Sequence, residues 1–239
     1  MTDGGRLGVS YEGHMRRGLA AIERAWRNGL GVFDCYTSSK RTFDERTLVS
    51  MENFTVMVVL DLLTGVAGAD GLNQMMAEAL ATRMRPDGVF HFFVDRDAIP
   101  ADADCTANGV GALLRYGLID EGLADAALSK LLTNVDGDGV VATYLDASPR
   151  RRDIVDPVVC LNVLYLAALR DRLPEAAATR AFVEDVLRDG LYAFGTRYYP
   201  RPENFLWFLA RLVTDFPDAF EKLVPEVKAA LVALSLIHI

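Results

Sequence analysis

The stretch DPVVCLNVLYLAAL, residues 156–169, is apolar on every side when wound as a helix, so it reads as a helix buried all round. Asp156 can cap its first turn, and Pro157 suits the first helical position, where no backbone N–H is needed. The flanking segments differ. Ile119–Leu132 puts Asp120, Glu121, Asp125 and Lys130 on one side, and the run from Pro174-Glu175 to Leu187 is likewise amphipathic. The alternation extends to both ends. Asn53–Leu63, Thr106–Tyr116 and Glu203–Val213 read as further apolar helices. Tyr11–Arg27, the Leu72–Met84 stripe with Asp70 as its cap, and Pro217–Leu234 read as amphipathic ones.

The links repeat as well. Gly31-Val32-Phe33, Gly88-Val89-Phe90, Gly139-Val140-Val141 and Gly190-Leu191-Tyr192 each lead from an amphipathic helix towards the next apolar one, with glycines 57, 51 and 51 residues apart. Tyr36, Phe93 and Tyr144 each follow their glycine by five residues. A period of this length with two helices per unit predicts stacked helical hairpins. The expected fold is all-α: an alpha/alpha toroid, complete or partial, with inner apolar and outer amphipathic helices. It forms one domain over residues 1–239, with 1–10 and 235–239 peripheral. Four inner helices are few for a closed ring.

Composition narrows the function classes. Hydrophobic residues make up 51% of the 239-residue chain, which supports a sizeable core and argues against disorder. A formal charge of −8 disfavours nucleic acid, and the one dense basic run, Arg150-Arg151-Arg152, reads as a solvated loop. No apolar run is long enough to span a bilayer, and the start has no export pattern. Cys35, Cys105 and Cys160 are too scattered for a disulfide framework or zinc knuckle, which predicts a reducing, cytoplasmic setting. Val135-Asp136-Gly137-Asp138-Gly139 lacks the remaining ligands of a calcium loop and reads as a polar turn. Neither a cofactor nor a metal is implied.

If all inner helices run parallel, their N-termini gather at one mouth. That mouth would bring together Glu52, Asp102, Asp104, Asp153, Asp156 and Glu203, with Tyr36, Phe93, Tyr144, Tyr198, Tyr199 and Trp207 nearby. The strongest site candidate is PADADCTANG, residues 100–109. Two carboxylates two residues apart repel one another, so one can keep its proton near neutral pH and act as a general acid towards an apolar cavity. Cys105 can donate a weak hydrogen bond beside them. Capping of the helix is the competing role for both aspartates.

Asp104-Cys105-Thr106-Ala107 resembles the DCTA core of triterpene cyclases acting on epoxidised squalene. Asp102-Ala103-Asp104 resembles the opening of the DxDD motif in class II cyclases that protonate alkenes. Both belong to the terpenoid-cyclase and protein-prenyltransferase superfamily of alpha/alpha toroids. The resemblance implies Asp104 as proton donor, Asp102 as its activating neighbour, and Cys105, with Cys160 as a second cysteine, as hydrogen-bond partners of the acid. Where the epoxide cyclases continue with Glu this chain has Asn108, and where the alkene-protonating motif has its last Asp it has Cys105. The choice between alkene and epoxide therefore stays open. The DDxxD cluster of diphosphate-ionising cyclases and the prenyltransferase zinc set are both absent.

Such chemistry needs a dry cavity whose aromatic faces hold a carbocation. Phe54, Phe90, Phe92, Phe93, Tyr165, Phe205, Trp207 and Phe208 offer those faces, and Asn108 or Tyr144 offers an oxygen for the closing step. The expected ligand is a hydrophobic small molecule such as a polyprenyl chain, bound by Tyr36, Phe93, Asn108, Tyr144, Asp156, Tyr198 and Trp207. Contact with a membrane surface and pairing of two copies stay open. One rival is a helical-repeat binding domain, which predicts an exposed Asp104. The other is an alpha/alpha-barrel carbohydrate enzyme using Asp102 or Asp104 with Asp153 or Asp156, which predicts a polar groove.

Overall fold

The computed structural model describes residues 11–29, 31–33, 35–37, 45, 47–49, 51–95, 99–146 and 148–237; of residues 11, 35–37, 49, 236 and 237 it describes only the backbone. Of the ends expected to be peripheral, 1–10 and 235–239, residues 1–10 and 238–239 lie outside the described residues, whereas 235–237 continue the last helix.

Helices dominate. In order they are α1 (Tyr11–Asn28), α2 (Phe54–Leu63), α3 (Asp70–Ala81), α4 (Ala103–Arg115), α5 (Glu121–Thr133), α6 (Pro157–Leu169), α7 (Ala177–Arg188), α8 (Pro202–Asp215), α9 (Pro217–Phe220) and α10 (Val224–Ile237). Short 3-10 turns at Leu173–Ala176 and Glu221–Leu223 interrupt what periodicity reads as continuous runs, and a third, Leu191–Phe194, lies in the link after Gly190. A two-stranded antiparallel ribbon, β1 (Cys35–Thr37) on β2 (Thr47–Val49), occupies the link between the first two helices.

Helix α6 is the centre of the core. Every residue from 158 to 168 is buried, because α4, α5, α7 and α8 all pack against it. Full burial of each Leu or Val side chain is worth roughly 1.5–3 kcal/mol, so an all-apolar surface suits a helix with neighbours on every side. Its one buried amide, Asn162, must find partners there.

The hairpin pairs are α2 with α3, α4 with α5, α6 with α7, and α8 with α10. The apolar members also touch in sequence, α2 on α4, α4 on α6 and α6 on α8, so they form one continuous layer. That layer curls far enough for Arg211 on α8 to reach Asp61 on α2 at 2.8 Å. Gly31, Gly88, Gly139 and Gly190 all hold positive φ, between 67° and 92°, which other residues adopt only with strain. The repeated glycine is thus a repeated turn. Asp102, Asp120 and Asp156 cap their helices, whereas Asp70 lies inside the first turn of α3 and Ala69 holds the cap position. Among the described residues no helix is long and apolar enough to cross a membrane.

Candidate functional site

A cavity of about 350 Å³ opens where the starts of α2, α4 and α6 meet the link before α8. Phe54, Phe92, Phe93, Ile99, Asp102, Asp104, Thr143, Tyr144, Val159, Tyr198 and Tyr199 line it. Phe54, Asp102, Asp104 and Val159 belong to the starts of α2, α4 and α6, so three helix N-terminal ends meet at the cavity, and the other lining residues come from the links. The volume falls in the range of ordinary small-molecule sites.

Two aromatic groups form the walls. Phe54 lies 6.4 Å from Phe92 and 6.1 Å from Tyr199, and Phe92 meets Phe93 edge-on at 4.9 Å. Opposite them Tyr144 and Tyr198 make a perpendicular pair at 6.0 Å, with Tyr198 at the rim, 37% exposed. Arg151 lies over the Tyr144 ring at 5.4 Å. The aromatic faces present electron-rich quadrupoles to whatever fills the space.

Among the described residues two carboxyl groups line this cavity, and both are perturbed. Asp102 is 4% exposed, and its Oδ1 accepts from the Cys105 N–H at 2.7 Å as the cap of α4. Burial, and then repulsion from Asp104, push its pKa up to about 7. Among the described residues its Oδ2 has no hydrogen-bond partner, although it is buried. Asp104 stands one residue into the helix and turns towards the cavity. Burial raises its pKa to about 6, against the pull of two donors. Those donors are the Tyr199 hydroxyl on Oδ2 and Asn162 Nδ2 on Oδ1, the latter at 2.7 Å. Asn108 Nδ2 adds a contact to the Asp104 carbonyl at 3.0 Å and a longer one to Oδ1 at 3.3 Å. The two aspartates, alike as caps on sequence alone, take different partners here. Asp102 is the cap, and Asp104 is spared that duty.

Not every expected residue is at the site. The Cys105 thiol sits against Asp102 rather than Asp104, and burial with the neighbouring carboxylates holds it protonated. Cys160 is buried with its thiol directed to the Val141 carbonyl at 3.7 Å, so it does not hydrogen-bond to Asp104. Asp156 is consumed by structure: its oxygens accept from the N–H groups of Val158 at 2.9 Å and Tyr198 at 3.1 Å, outside the cavity lining. Trp207 also stays off the cavity, packing edge-on against Phe208 at 4.5 Å because its helix face turns towards Arg211. Asp153 is on the surface beside Arg152. The Tyr36 side chain lies outside the described residues. Phe93, Tyr144 and Tyr198 do line the cavity.

Asn162 was not anticipated. The only sequence signal for it is a lone amide in an otherwise greasy helix. Thr143 and Val159 have no signal at all. The Asp136 carboxylate accepts from the N–H groups of Asp138 and Val140, so that glycine-rich segment is a turn, as expected. Among the described residues no group of three His, Cys, Asp or Glu side chains could hold a metal ion.

Comparison with known proteins places these features in a family context. The family described as the sesquiterpene cyclase astC-like C-terminal domain matches residues 37–169, just over half of the chain, a span that includes Asp102, Asp104 and Asn162. The drimenol cyclase drtB of Aspergillus calidoustus is 34% identical over 137 residues, covering 55% of this chain and 25% of that protein. The match therefore spans about a quarter of that relative's length. No solved structure matches it.

Proposed function

This chain belongs to the sesquiterpene cyclase astC-like C-terminal domain family, and from that premise we propose that it starts carbocation cyclisation of a polyprenyl substrate by protonation from Asp104. The observation that supports this reading is a cavity-facing carboxyl with a raised pKa, held by Tyr199 and Asn162 inside an aromatic wall. The layer of inner helices is, in this reading, part of an α/α toroid.

The proton balance works as follows. Near neutral pH, burial and the mutual repulsion of Asp102 and Asp104 favour at least one proton on the pair. The substrate's terminal double bond, or the oxygen of a terminal epoxide, takes the proton from Asp104. For an alkene, the π electron pair forms the new C–H bond and leaves a cation on the more substituted carbon. Internal double bonds then attack in turn, each forming a C–C bond and passing the charge along. Proton loss or capture of water ends the sequence.

The same surroundings serve both stages. Apolar walls raise the proton affinity of Asp104 before transfer, and the hydroxyl and amide donors stabilise the carboxylate afterwards. Phe54, Phe92, Phe93, Tyr144, Tyr198 and Tyr199 face the migrating cation. A sesquiterpene-sized chain is the natural first substrate to try, given the family's designation.

Incubation with polyprenyl substrates in D₂O, with and without a terminal epoxide, tests the reading. The wild-type chain is expected to give a cyclic product; from the alkene substrate, that product carries deuterium at the protonated terminus. Asp104→Asn is expected to lower product formation by about a hundredfold or more. Undiminished product from the variant would remove Asp104 from the mechanism.

A further inference from the structure

Asn162 touches Asp104 on one side and Arg211 on the other. Arg211 Nη2 donates to Asn162 Oδ1 at 2.8 Å, and Nη1 donates to Asp61 Oδ2 at 2.8 Å. Arg115 Nη2 donates to Asp61 Oδ1, also at 2.8 Å. These four hydrogen bonds, from Arg115 through Asp61, Arg211 and Asn162 to Asp104, join α2, α4, α6 and α8 through the middle of the helix layer. Arg211 and Asp61 side chains are 10% and 8% exposed, so the link is largely shielded from solvent. The Arg211 guanidinium also lies 4.0 Å from the centre of the Tyr165 ring.

An asparagine amide can present either of two ends. Its oxygen accepts and its nitrogen donates, and a rotation of half a turn exchanges them. A guanidinium has only donors, so it must face the oxygen. Because Arg211 occupies Asn162 Oδ1, the NH₂ group is the end left for Asp104. Were the amide reversed, its oxygen would face Asp104 and accept the acid's own proton, favouring the neutral form and weakening the acid.

We propose that Arg211 is a positioning residue: anchored by Asp61, it fixes the amide of Asn162 so that the NH₂ group faces Asp104 and makes it a stronger acid. This rests on the reading of Asp104 as the proton donor, but the orientation itself can be tested without turnover. Several other ionisable groups surround Asp104. Asp102 and Cys105 are on its own segment, Asp156 and Cys160 on α6, and Tyr199 before α8. None of them contacts Asn162 Oδ1 in the hydrogen bonds described, so none replaces Arg211 in orienting the amide.

Infrared difference titration of the carboxyl groups, with Asp104→Asn as the reference that identifies the Asp104 band, reads the effect directly. Arg211→Met should raise the Asp104 midpoint by about one pH unit, a tenfold gain in proton affinity. Arg211→Lys keeps a cationic donor and should restore most of the difference. It also serves if the methionine variant does not fold, since its midpoint should then lie between wild type and a parallel Asn162→Leu variant. An unchanged midpoint in folded Arg211→Met, or an Arg211→Lys shift as large as that of Asn162→Leu, overturns the proposal. Absence of cyclised product from the wild type, with the midpoint shift intact, would instead sink the proposed reaction and leave the positioning role standing.

Discussion

Asn162, buried in the middle of α6, donates to Asp104 Oδ1 at 2.7 Å, although 58 residues separate the two in the chain. The contact is possible because α4 and α6 lie side by side and point the same way. A polar side chain in a fully buried helix would cost free energy without a partner. Asn162 has two, and one of them is the candidate acid.

Tyr199 supplies the other donor to Asp104, and its ring packs against Phe54 and Phe208. Tyr199→Phe keeps the ring and removes the hydroxyl, which lowers the Asp104 pKa in the native protein. Asp104 should then hold its proton more tightly. The alkaline limb of turnover is expected to move up by about one to two pH units, and turnover below the limb to fall about tenfold. Rates measured from pH 5 to 9 check this; coincident profiles for variant and wild type would show that the hydroxyl does not tune the acid.

Asp102 and Asp104 should also leave a mark on stability. Both native pKa values, about 7 and about 6, lie above the ordinary 3.8. Between about pH 4 and pH 7 the native state therefore binds more protons than the unfolded chain, and stability falls as pH rises. Their contribution is complete below about pH 4 and is lost as pH passes through the two native values. Asp102→Asn removes one of the titrating groups and relieves the repulsion on the other. Urea unfolding at pH 5 and pH 8 should show the variant gaining on the wild type as pH increases. A constant difference between the two would contradict the raised values.

Gly109 tests how tightly α4 approaches the link before it. A Cβ there would lie 2.6 Å from two carbons of the Phe90 ring and 2.9 Å from Met57 Cε. Ala is favoured over Gly inside a helix by about 1 kcal/mol, but overpacking a closed core costs roughly 1–3 kcal/mol. Phe90 is fully buried, and its carbonyl accepts from the Asp102 N–H at 3.2 Å, so a shift of its ring would disturb the site. Gly109→Ala is expected to lower unfolding free energy by about 1–2 kcal/mol, read by denaturant titration. A stabilised variant would mean that the ring has room to slide.

Much of the architecture was legible in the chain because burial imposes composition. A helix with neighbours on all sides, such as α6, must be apolar throughout, and a half-exposed one, such as α5, must be striped. Glycines recur where the backbone turns through positive φ. The position of Asp102 and Asp104 at the start of α4 could be read the same way. Ribbon β1–β2 could not, since three-residue strands leave no periodic signature, and neither could the 3-10 breaks beside α7 and α10.

The division of labour inside the site belongs to the tertiary structure. Sequence placed Asp102, Asp104 and Asp156 at helix starts, where a cap and an acid look alike; only the packing shows Asp156 bound to the backbone of Val158 and Tyr198, and Asp104 bound to side chains instead. Trp207 and Cys160 turn away for the same reason that Asn162 turns in: the direction of a helix face depends on its neighbours. Local sequence determines which segments coil and which face is greasy. Which distant side chains meet across those faces, and so which carboxyl keeps a proton beside an aromatic wall, is decided only when the helices pack.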